Sequence, residues 1–454
     1  MEKHYNLKSD FELTGFFWLP GKENEKMPGT LKHVSGERIE LKIYEEGSIF
    51  SGKGFSRDPE IKILHGTGFN EHPNTPRRNL AITLYKLMLT RENHGNFEVI
   101  QRTYSSEFAL LGNTLFKNEE DICFDEITVH IDQLEKWLQT KPFESQAETN
   151  ESKNIRSIKV RFELKNDIEH RIENENLNFL IGSTISMNSK NNYREIQLGF
   201  TPNITVKPDK ASQLEYYIST LSHIRSLLSL LTGEPVYFNS CTGKFFRGAE
   251  SSEYAQIIFR ETRKEPRRKW HAHQIMMPYS EIDEKFSEIL EKWFSKKEKL
   301  ESVSNLLMSN LYAIQKYTEI EFFRLINALE ECHRRLIDEG RKNLKTRLSE
   351  VFSRLPQSLK LLITDSEDKL IIKIVDSRNY YFHRNAQDKS KAFTPEELYD
   401  ANKKLEMLFF ILLFTELSIE DEHIERALKR NSKFFYNPSS KFGEILQEWP
   451  NKDS

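Results

Sequence analysis

The chain has 454 residues and a mass of 53.6 kDa, which rules out a single small module and is long enough for two or three domains. Lys and Arg number 66 against 69 Asp and Glu, so the formal net charge of -3 excludes a global attraction to nucleic acid or membranes. With 37% apolar and 30% charged residues, the composition is that of a soluble globular protein rather than a disordered chain.

The cysteines and the apolar segments bear on the compartment of the protein. Cys123, Cys241 and Cys332 lie far apart and lack the close spacing of zinc or redox sites, so we expect a reduced, cytoplasmic protein. The N-terminus has no apolar stretch of the kind that a secretory signal needs. The longest wholly apolar run, residues 407–414, is well below the roughly 18 residues of a membrane span and predicts a buried bundle helix. We therefore expect no membrane association, and no motif in the sequence predicts a metal or another cofactor.

Residues 1–207 consist of short segments in which polar and apolar residues alternate. Residues 39–44 and 158–164 both alternate with period two, as half-buried strands do. Clusters of Gly, Pro, Asn and Asp separate such segments, and the one helix expected here is short and spans about residues 132–138. The pattern predicts a β-rich, sandwich-like N-terminal domain over residues 1–207.

Residues 208–280 mix two kinds of pattern. From Leu214 to Leu231 apolar residues recur every three or four positions, which predicts an amphipathic helix, and Gly233 supplies a stop. Residues 235–260 are extended in character, and a basic stretch follows over residues 260–269. We interpret this region as a helix and extended segments that connect two domains.

Residues 281–454 have an almost entirely helical pattern. Over residues 319–336 the apolar side chains fall on one stripe. Thr394, Pro395 and Glu397 have the form of a capping box, which opens a further long helix. We predict an all-α helical bundle here, so the whole chain is expected to be of the α+β class.

One helix of this bundle carries an arginine among apolar residues. At about 100° per residue, the apolar residues of the segment 370–384 define one arc, and Arg378 lies near its middle. A guanidinium stays protonated, so at such a position it must meet a carboxylate, face a wet cavity or lie at an interface that holds an anion. A salt bridge inside the bundle is the structural alternative.

Asn379 and His383 lie one helical turn apart beside that arginine, which groups an amide, an imidazole and a guanidinium. These groups suit metal-independent cleavage of RNA, in which a ribose 2′-OH attacks the adjacent phosphate. The attack needs a base, a role for His383, and a fixed cation for the developing phosphorane charge, a role for Arg378. Asn379 would hold the imidazole or the phosphate, and the products would be a 2′,3′-cyclic phosphate and a 5′-OH. Spacing alone does not establish this chemistry, because Arg and His five positions apart occur by chance in many helices.

The same segment resembles a known motif. Residues 378–383, Arg-Asn-Tyr-Tyr-Phe-His, look like the RNxxxH form of the R-X4-6-H motif of HEPN ribonucleases, late in an all-helical domain as in that family. Residues 328–335 resemble the helix that carries an acidic residue in this superfamily. Residues 15–20 and 29–31, ahead of a β-rich region, are similar to the ApeA-type domain that precedes HEPN in antiphage proteins.

This resemblance implies a homodimer in which two copies of the motif helix meet. Arg378 and His383 of both subunits would then form one composite RNA-cleaving cleft. Glu330 is the candidate acidic partner, because its helical angle puts it at the flank of the apolar stripe, with an ordinary polar position as the alternative. The motif histidine follows Phe382, where many relatives have a small polar residue, so the substrate shape is expected to differ.

The family also implies a role in antiphage defence by abortive infection. Activation during infection would cut host RNA, with tRNA as the expected substrate. The β-rich domain would sense infection and restrain the nuclease, with a phage-derived activator as a candidate trigger. The rival hypothesis is a catalytically silent HEPN dimer that binds RNA or another protein.

Five further residues are candidates for RNA contact. Tyr380 would stack on an unpaired base or pack in the bundle, and Arg384 would contact phosphate or be a solvated charge. Arg267, Arg268 and Lys269 precede Trp270, a composition suited to phosphate contacts plus one stacking ring, or to a solvated linker.

Overall fold

The computed structural model describes residues 5–46, 60–69, 80–94, 99–140, 143–149, 155–162, 167–190, 195–246, 251–261, 270–313, 318–383 and 389–435. Within these residues, strands dominate up to residue 261 and helices dominate from residue 286 onward. This arrangement confirms the α+β class, with a β-rich N-terminal part followed by helices.

The first six strands close into an antiparallel barrel. They are β1 (Phe11–Trp18), β2 (Met27–His33), β3 (Ile39–Glu46), β4 (Glu60–Phe69), β5 (Leu80–His94) and β6 (Val99–Gly112). Around the barrel the order is β6, β3, β2, β1, β4 and β5, and β5 pairs back onto β6. Leu13 and Phe17 of β1 are fully buried, as the alternating pattern requires. Between them, a Cβ atom at Gly15 would lie 2.0 Å from the main-chain oxygen of Thr67, so β1 and β4 approach closely only because this residue is glycine.

An open sheet continues from the barrel through β6. The remaining strands are β7 (Cys123–Phe124), β8 (Glu126–Ile131), β9 (Phe143–Thr149), β10 (Ile155–Phe162), β11 (Ile168–Ile172), β12 (Leu177–Lys190), β13 (Glu195–Pro208), β14 (Ser212–Gln213), β15 (Phe238–Phe246) and β16 (Ser252–Phe259). Residues 99–106 of β6 pair with β3, whereas residues 108–112 pair with β16. From β16 the order runs β15, β8, β13, β12 and β11, while β9 pairs with β10 and β7 with β14 in separate ribbons. The architecture is therefore a closed barrel with an attached sheet, more specific than the sandwich-like arrangement that we expected.

Strands β15 and β16 lie in the middle of this sheet, between β8 and β6. Residues 238–259 are thus part of the sheet, although we interpreted residues 208–280 as a connecting region. The reason is that the pattern of a strand predicts its buried face but not its partners. The proposed divisions near residues 207 and 280 stay predictions.

The first two helices, a short one and a long buried one, lie inside the β-rich part. They are α1 (Leu134–Leu138), α2 (Leu214–Thr232), α3 (Phe286–Ser295), α4 (Lys297–Leu311), α5 (Thr318–Leu336), α6 (Leu344–Ser353), α7 (Gln357–Ile363), α8 (Glu367–His383), α9 (Pro395–Glu416), α10 (Asp421–Arg430) and α11 (Ser432–Phe435). Gly233 ends α2 with φ of 71°, the left-handed conformation that glycine adopts without strain. The predicted short helix near residue 134 and the predicted helix from residue 214 are both confirmed.

Helices α4 to α9 pack into a bundle, in which α5 contacts α4, α6 and α9, and α8 contacts α6. All residues from 405 to 414 of α9 are buried, which confirms the predicted bundle helix. Thr394 and Glu397 form the predicted capping box at the start of α9. Among the described residues, no helix combines the length and the apolar character that crossing a membrane would require.

Candidate ribonuclease site on α8

Two side chains fix the rotation of α8 about its own axis. Ser377 is fully buried and accepts a hydrogen bond from the main-chain N–H of Phe393 at 2.8 Å, while its hydroxyl donates to the main-chain oxygen of Lys373 at 2.6 Å. Tyr381, one turn later, donates its hydroxyl to the main-chain oxygen of Phe393 at 2.9 Å. Because both bonds end on one residue before α9, the last turns of α8 hold a defined orientation.

This orientation places Arg378 at the flank of the buried stripe. The buried side chains of α8 are Leu370, Ile371, Ile374, Ser377 and Tyr381. Arg378 is half-buried beside them, so our expectation that it lies in the middle of the arc is corrected. The reason is that Phe382, counted in the apolar arc, is 66% exposed, whereas Ser377, on the opposite side of the buried stripe, is fully buried.

The guanidinium of Arg378 lies against its own helix. Its carbon Cζ is 5.5 Å from the centre of the Phe382 ring, within the range of a cation–π contact. Its Nη1 donates a long hydrogen bond of 3.4 Å to Oδ1 of Asn379. The described residues place no carboxylate in a salt bridge with Arg378, so the bundle salt bridge that we considered is not formed among them. The cation is held by an aromatic ring and an amide, which leave it able to meet an anion.

His383 is exposed at the end of α8, with its ring 5.0 Å from that of Phe382 and nearly perpendicular to it. Asn379 is half-buried one turn before. Phe382 also meets Phe323 of α5, with ring centres 6.3 Å apart. We call Arg378, Asn379, Phe382 and His383 the motif face. It brings together a cation, an amide and an imidazole around one exposed aromatic ring.

Glu330 lies apart from the residues that line the motif face. It is half-buried on α5 and lines a groove of about 490 Å³ between α4 and α5, together with Asn305, Asn327 and Glu331 among others. No residue of α8 lines that groove. Glu330 is seven residues beyond Phe323, which corresponds to about 10 Å along the helix. Glu330 forms no hydrogen bond or ion pair with any described residue of the motif face, and its role as the acidic partner stays a prediction.

The neighbouring Glu331 has a structural role. Its carboxylate accepts hydrogen bonds from Arg334 at 2.6 Å, Arg335 at 2.8 Å and Ser302 of α4 at 3.1 Å. The bond from Arg335 is the main cause that lowers the pKa of Glu331. A carboxylate that is bonded in this way connects α5 to α4 and is not available as a base.

The other candidate residues separate into three groups. Tyr380 is half-buried and packs against the core, with its ring 5.1 Å from that of Tyr381, which fits the packing alternative. Trp270 is only 7% exposed, so the stacking role suggested for this ring is wrong. A tryptophan next to basic residues has no sequence feature that distinguishes a stacking ring from a core ring. The predicted contacts Arg384, Arg267, Arg268 and Lys269 lie outside the described residues.

A polar network around the buried His333, between α5 and α6, was not predicted. Nδ1 of His333 lies 2.7 Å from Nη1 of Arg347, and because a guanidinium only donates, Nδ1 must accept. Nε2 of His333 therefore carries the proton and donates to Glu350 at 2.7 Å. Lys342 also bonds Glu350, and this bond is the main cause that lowers the pKa of Glu350. With both ring nitrogens bonded, His333 ties α5 to α6.

Two family models match the chain. The model for the ApeA N-terminal domain 1 matches residues 12–293, and the model for the Apea-like HEPN domain matches residues 288–423. The second match contains all of α8 and with it every residue of the motif face. No curated protein and no solved structure matches the chain.

Proposed function

The chain belongs to the ApeA-like family of HEPN antiphage proteins, and from this premise we propose that it is an endoribonuclease whose active site is the motif face of α8. HEPN domains are commonly ribonucleases, and they typically bind RNA and dimerise. The observation that carries the proposal is that Arg378 and His383 both lie next to the exposed ring of Phe382, with the guanidinium in no salt bridge among the described residues.

The chemistry that these groups support is transesterification without a metal ion. His383 takes the proton of a ribose 2′-OH, and the oxygen attacks the adjacent phosphorus. Arg378 stabilises the negative charge that develops on the phosphorane oxygens, because a guanidinium stays charged and donates two parallel hydrogen bonds. The bond to the 5′-oxygen breaks, and that oxygen takes up a proton. The products are a 2′,3′-cyclic phosphate and a 5′-OH.

A second protomer completes the proposed site. Phe382 is 66% exposed and lies beside the half-buried Arg378, so a single chain leaves a large aromatic ring in water next to a cation. Such a ring favours a contact that removes it from water. In a homodimer that pairs the two α8 helices, the His383 of one protomer would act as the base and the other would protonate the 5′-oxygen. The two copies of Arg378 would face the same phosphate.

The N-terminal barrel and sheet are proposed to sense infection and to restrain the nuclease. A free RNA-cleaving activity harms the host, so it requires such control. The buried apolar residues of the sheet and of the bundle belong to one continuous core. A conformational change in the β-rich part would therefore be transmitted to α8 through packed side chains. We propose tRNA as the substrate and a phage-derived component as the activator.

The test is cleavage of total tRNA by the purified full-length protein in EDTA, with analysis of the fragment ends. Wild type is compared with Arg378→Ala, His383→Ala and the control Lys369→Ala, which removes an exposed cation elsewhere on α8. We expect wild type and Lys369→Ala to leave cyclic phosphate ends and the two motif variants to cut at least a hundredfold more slowly, on the order expected for loss of a general base.

Two other outcomes separate the alternatives. Cleavage that persists in both motif variants would place the active site elsewhere. Absence of cleavage, also after addition of extract from infected cells, together with tRNA binding that depends on Arg378, would favour a catalytically silent binding dimer. Growth after induced expression gives the same distinction in cells, because only an enzyme predicts that His383→Ala relieves toxicity.

A further inference from the structure

A polar cavity of about 420 Å³ lies where the barrel, α2 and α4 meet. Lys86, Glu107 and Phe108 of β5 and β6 form one wall. Residues of α2 from 215 to 226 form the second wall, and residues of α4 from 297 to 305 form the third. Its volume falls within the range of small-molecule sites, and such sites occur preferentially between domains.

On the barrel wall of this cavity, Lys86 has a strained backbone and a paired side chain. Lys86 has φ of 56°, a left-handed conformation that a lysine rarely adopts. Its ammonium pairs with Glu215 of α2 at 3.0 Å, and the same carboxylate accepts a hydrogen bond from the hydroxyl of Tyr85. Local strain of this kind persists at sites where a side chain must point in one direction.

The α2 wall carries a buried imidazole with one open nitrogen. His223 is 6% exposed and stacks on Trp293 at 4.8 Å, and its Nε2 lies 3.1 Å from the main-chain oxygen of Trp293. Because a carbonyl only accepts, Nε2 carries the proton and Nδ1 is an acceptor. Nδ1 has no hydrogen-bond partner among the described residues and is not one of the enclosed unpaired atoms, so it opens to the cavity that His223 lines.

Charges of both signs remain on the cavity walls. Lys297 on α4, Glu107 on β6 and Glu301 on α4 form no ion pair with any described residue. A ligand that satisfies all of them needs an anionic group for Lys297 and a cationic group for the carboxylates. It also needs an N–H or O–H donor for Nδ1 of His223.

We propose that this cavity binds a dipeptide zwitterion. The ligand's carboxylate would pair with Lys297, its ammonium group with Glu107 and Glu301, and its peptide N–H would donate to Nδ1 of His223. A dipeptide carries these three groups in one small molecule. A phosphate, a polyamine or a neutral sugar leaves at least one of the wall charges without a partner.

The test is calorimetric titration of the full-length protein with alanylalanine. The comparison ligands are N-acetyl-alanylalanine, which lacks the ammonium group, alanylalanine amide, which lacks the carboxylate, and inorganic phosphate. We expect alanylalanine to bind at least about tenfold more tightly than each of them, which corresponds to one lost charge contact.

Matched variants assign each contact. Lys297→Gln should weaken the binding of alanylalanine about tenfold, so that alanylalanine and its amide bind equally well. Glu301→Gln should instead remove the difference in affinity between alanylalanine and the acetylated form. Lys299→Gln and Glu298→Gln change exposed charges of α4 outside the cavity and should bind like wild type. His223→Gln tests the third contact, and its melting temperature reports whether it folds.

The proposal is overturned by any of three results. They are no binding of alanylalanine, equal binding of phosphate or the blocked dipeptides, or an affinity that Lys297→Gln and Glu301→Gln leave unchanged. Because the measurement is direct binding, its outcome does not depend on whether the protein cleaves RNA.

Discussion

Ser377 on α8 accepts a hydrogen bond from the main-chain N–H of Phe393 at 2.8 Å, and both groups are buried. Arg378 follows Ser377 directly and lies about 100° further around the helix. The position of the guanidinium is therefore set by a serine that itself takes no part in chemistry.

Ser377→Ala should lower the free energy of unfolding. The substitution leaves the buried N–H of Phe393 without an acceptor, which costs about 1–3 kcal/mol. Urea denaturation followed by circular dichroism measures the loss. Ser353→Ala is the control, because its exposed hydroxyl bonds only the main-chain oxygen of Glu350. Equal stability of the two variants would show that the Ser377 contact does not hold α8.

Arg378→Lys should cleave tRNA at least about tenfold more slowly than wild type while keeping its melting temperature. A lysine keeps the charge but loses the planar group that stacks on Phe382 and contacts two phosphate oxygens at once. Initial rates of tRNA cleavage measure the effect, with Lys369→Arg as the exposed control on the same helix. Full activity of Arg378→Lys would mean that only a point charge is required.

Phe382→Asp should dissociate the proposed dimer and abolish cleavage together. The substitution puts a carboxylate beside Arg378 in each protomer, so two carboxylates would meet at the centre of the proposed contact. Sedimentation velocity gives the oligomeric state. Leu361→Asp on α7 is the matched control, because Leu361 is 55% exposed and no residue of the motif face belongs to α7. A dimer that survives Phe382→Asp would move the interface away from α8.

The local elements of this fold follow from sequence, whereas the partners of each strand do not. The capping box at Thr394 and the left-handed stop at Gly233 involve neighbours within four residues, and both were predicted. The closure of β5 onto β6 and the insertion of β15 and β16 beside β8 depend on contacts between distant segments. An alternating pattern states which face of a strand is buried, and many strand orders satisfy it.

The candidate site shows the same division. The motif gave Arg378, Asn379 and His383, and in the structure Arg378 contacts Asn379 and Phe382, while the ring of His383 lies next to that of Phe382. Helical angles alone counted Phe382 as buried, because an apolar residue beside a buried stripe looks the same whether it faces a core or another molecule. The spacing of Ser377, three residues after Ile374 and four before Tyr381, did indicate a buried position. A serine there has no sequence feature that indicates its hydrogen-bond partners.

Glu330 and Glu331 offer a matched pair of tests on α5. Glu331→Gln should lower the melting temperature, because it removes the charge that Arg334 and Arg335 bond. Glu330→Gln should lower tRNA cleavage without lowering the melting temperature, if the partner protomer brings it to the cleft. Cleavage by Glu330→Gln at the wild-type rate would assign Glu330 to an ordinary polar position.

The free energy of unfolding should decrease as the pH decreases, because His223 titrates. Burial against Trp293 lowers the pKa of His223 to about 4, from an ordinary value of 6.5. Between these values the unfolded chain binds the proton and the folded chain does not. The stabilisation is therefore complete above about pH 6.5 and is lost as the pH falls toward about 4. From about pH 7 to about pH 5 the free energy of unfolding should drop by about 2 kcal/mol on account of this residue. Denaturation of wild type and His223→Gln across that range measures the drop, with His271→Gln as the exposed control. Parallel plots of the free energy of unfolding against pH for wild type and His223→Gln would contradict this prediction. They would show that His223 binds protons equally well in the folded and the unfolded chain, because only a difference in proton uptake between the two states makes stability depend on pH.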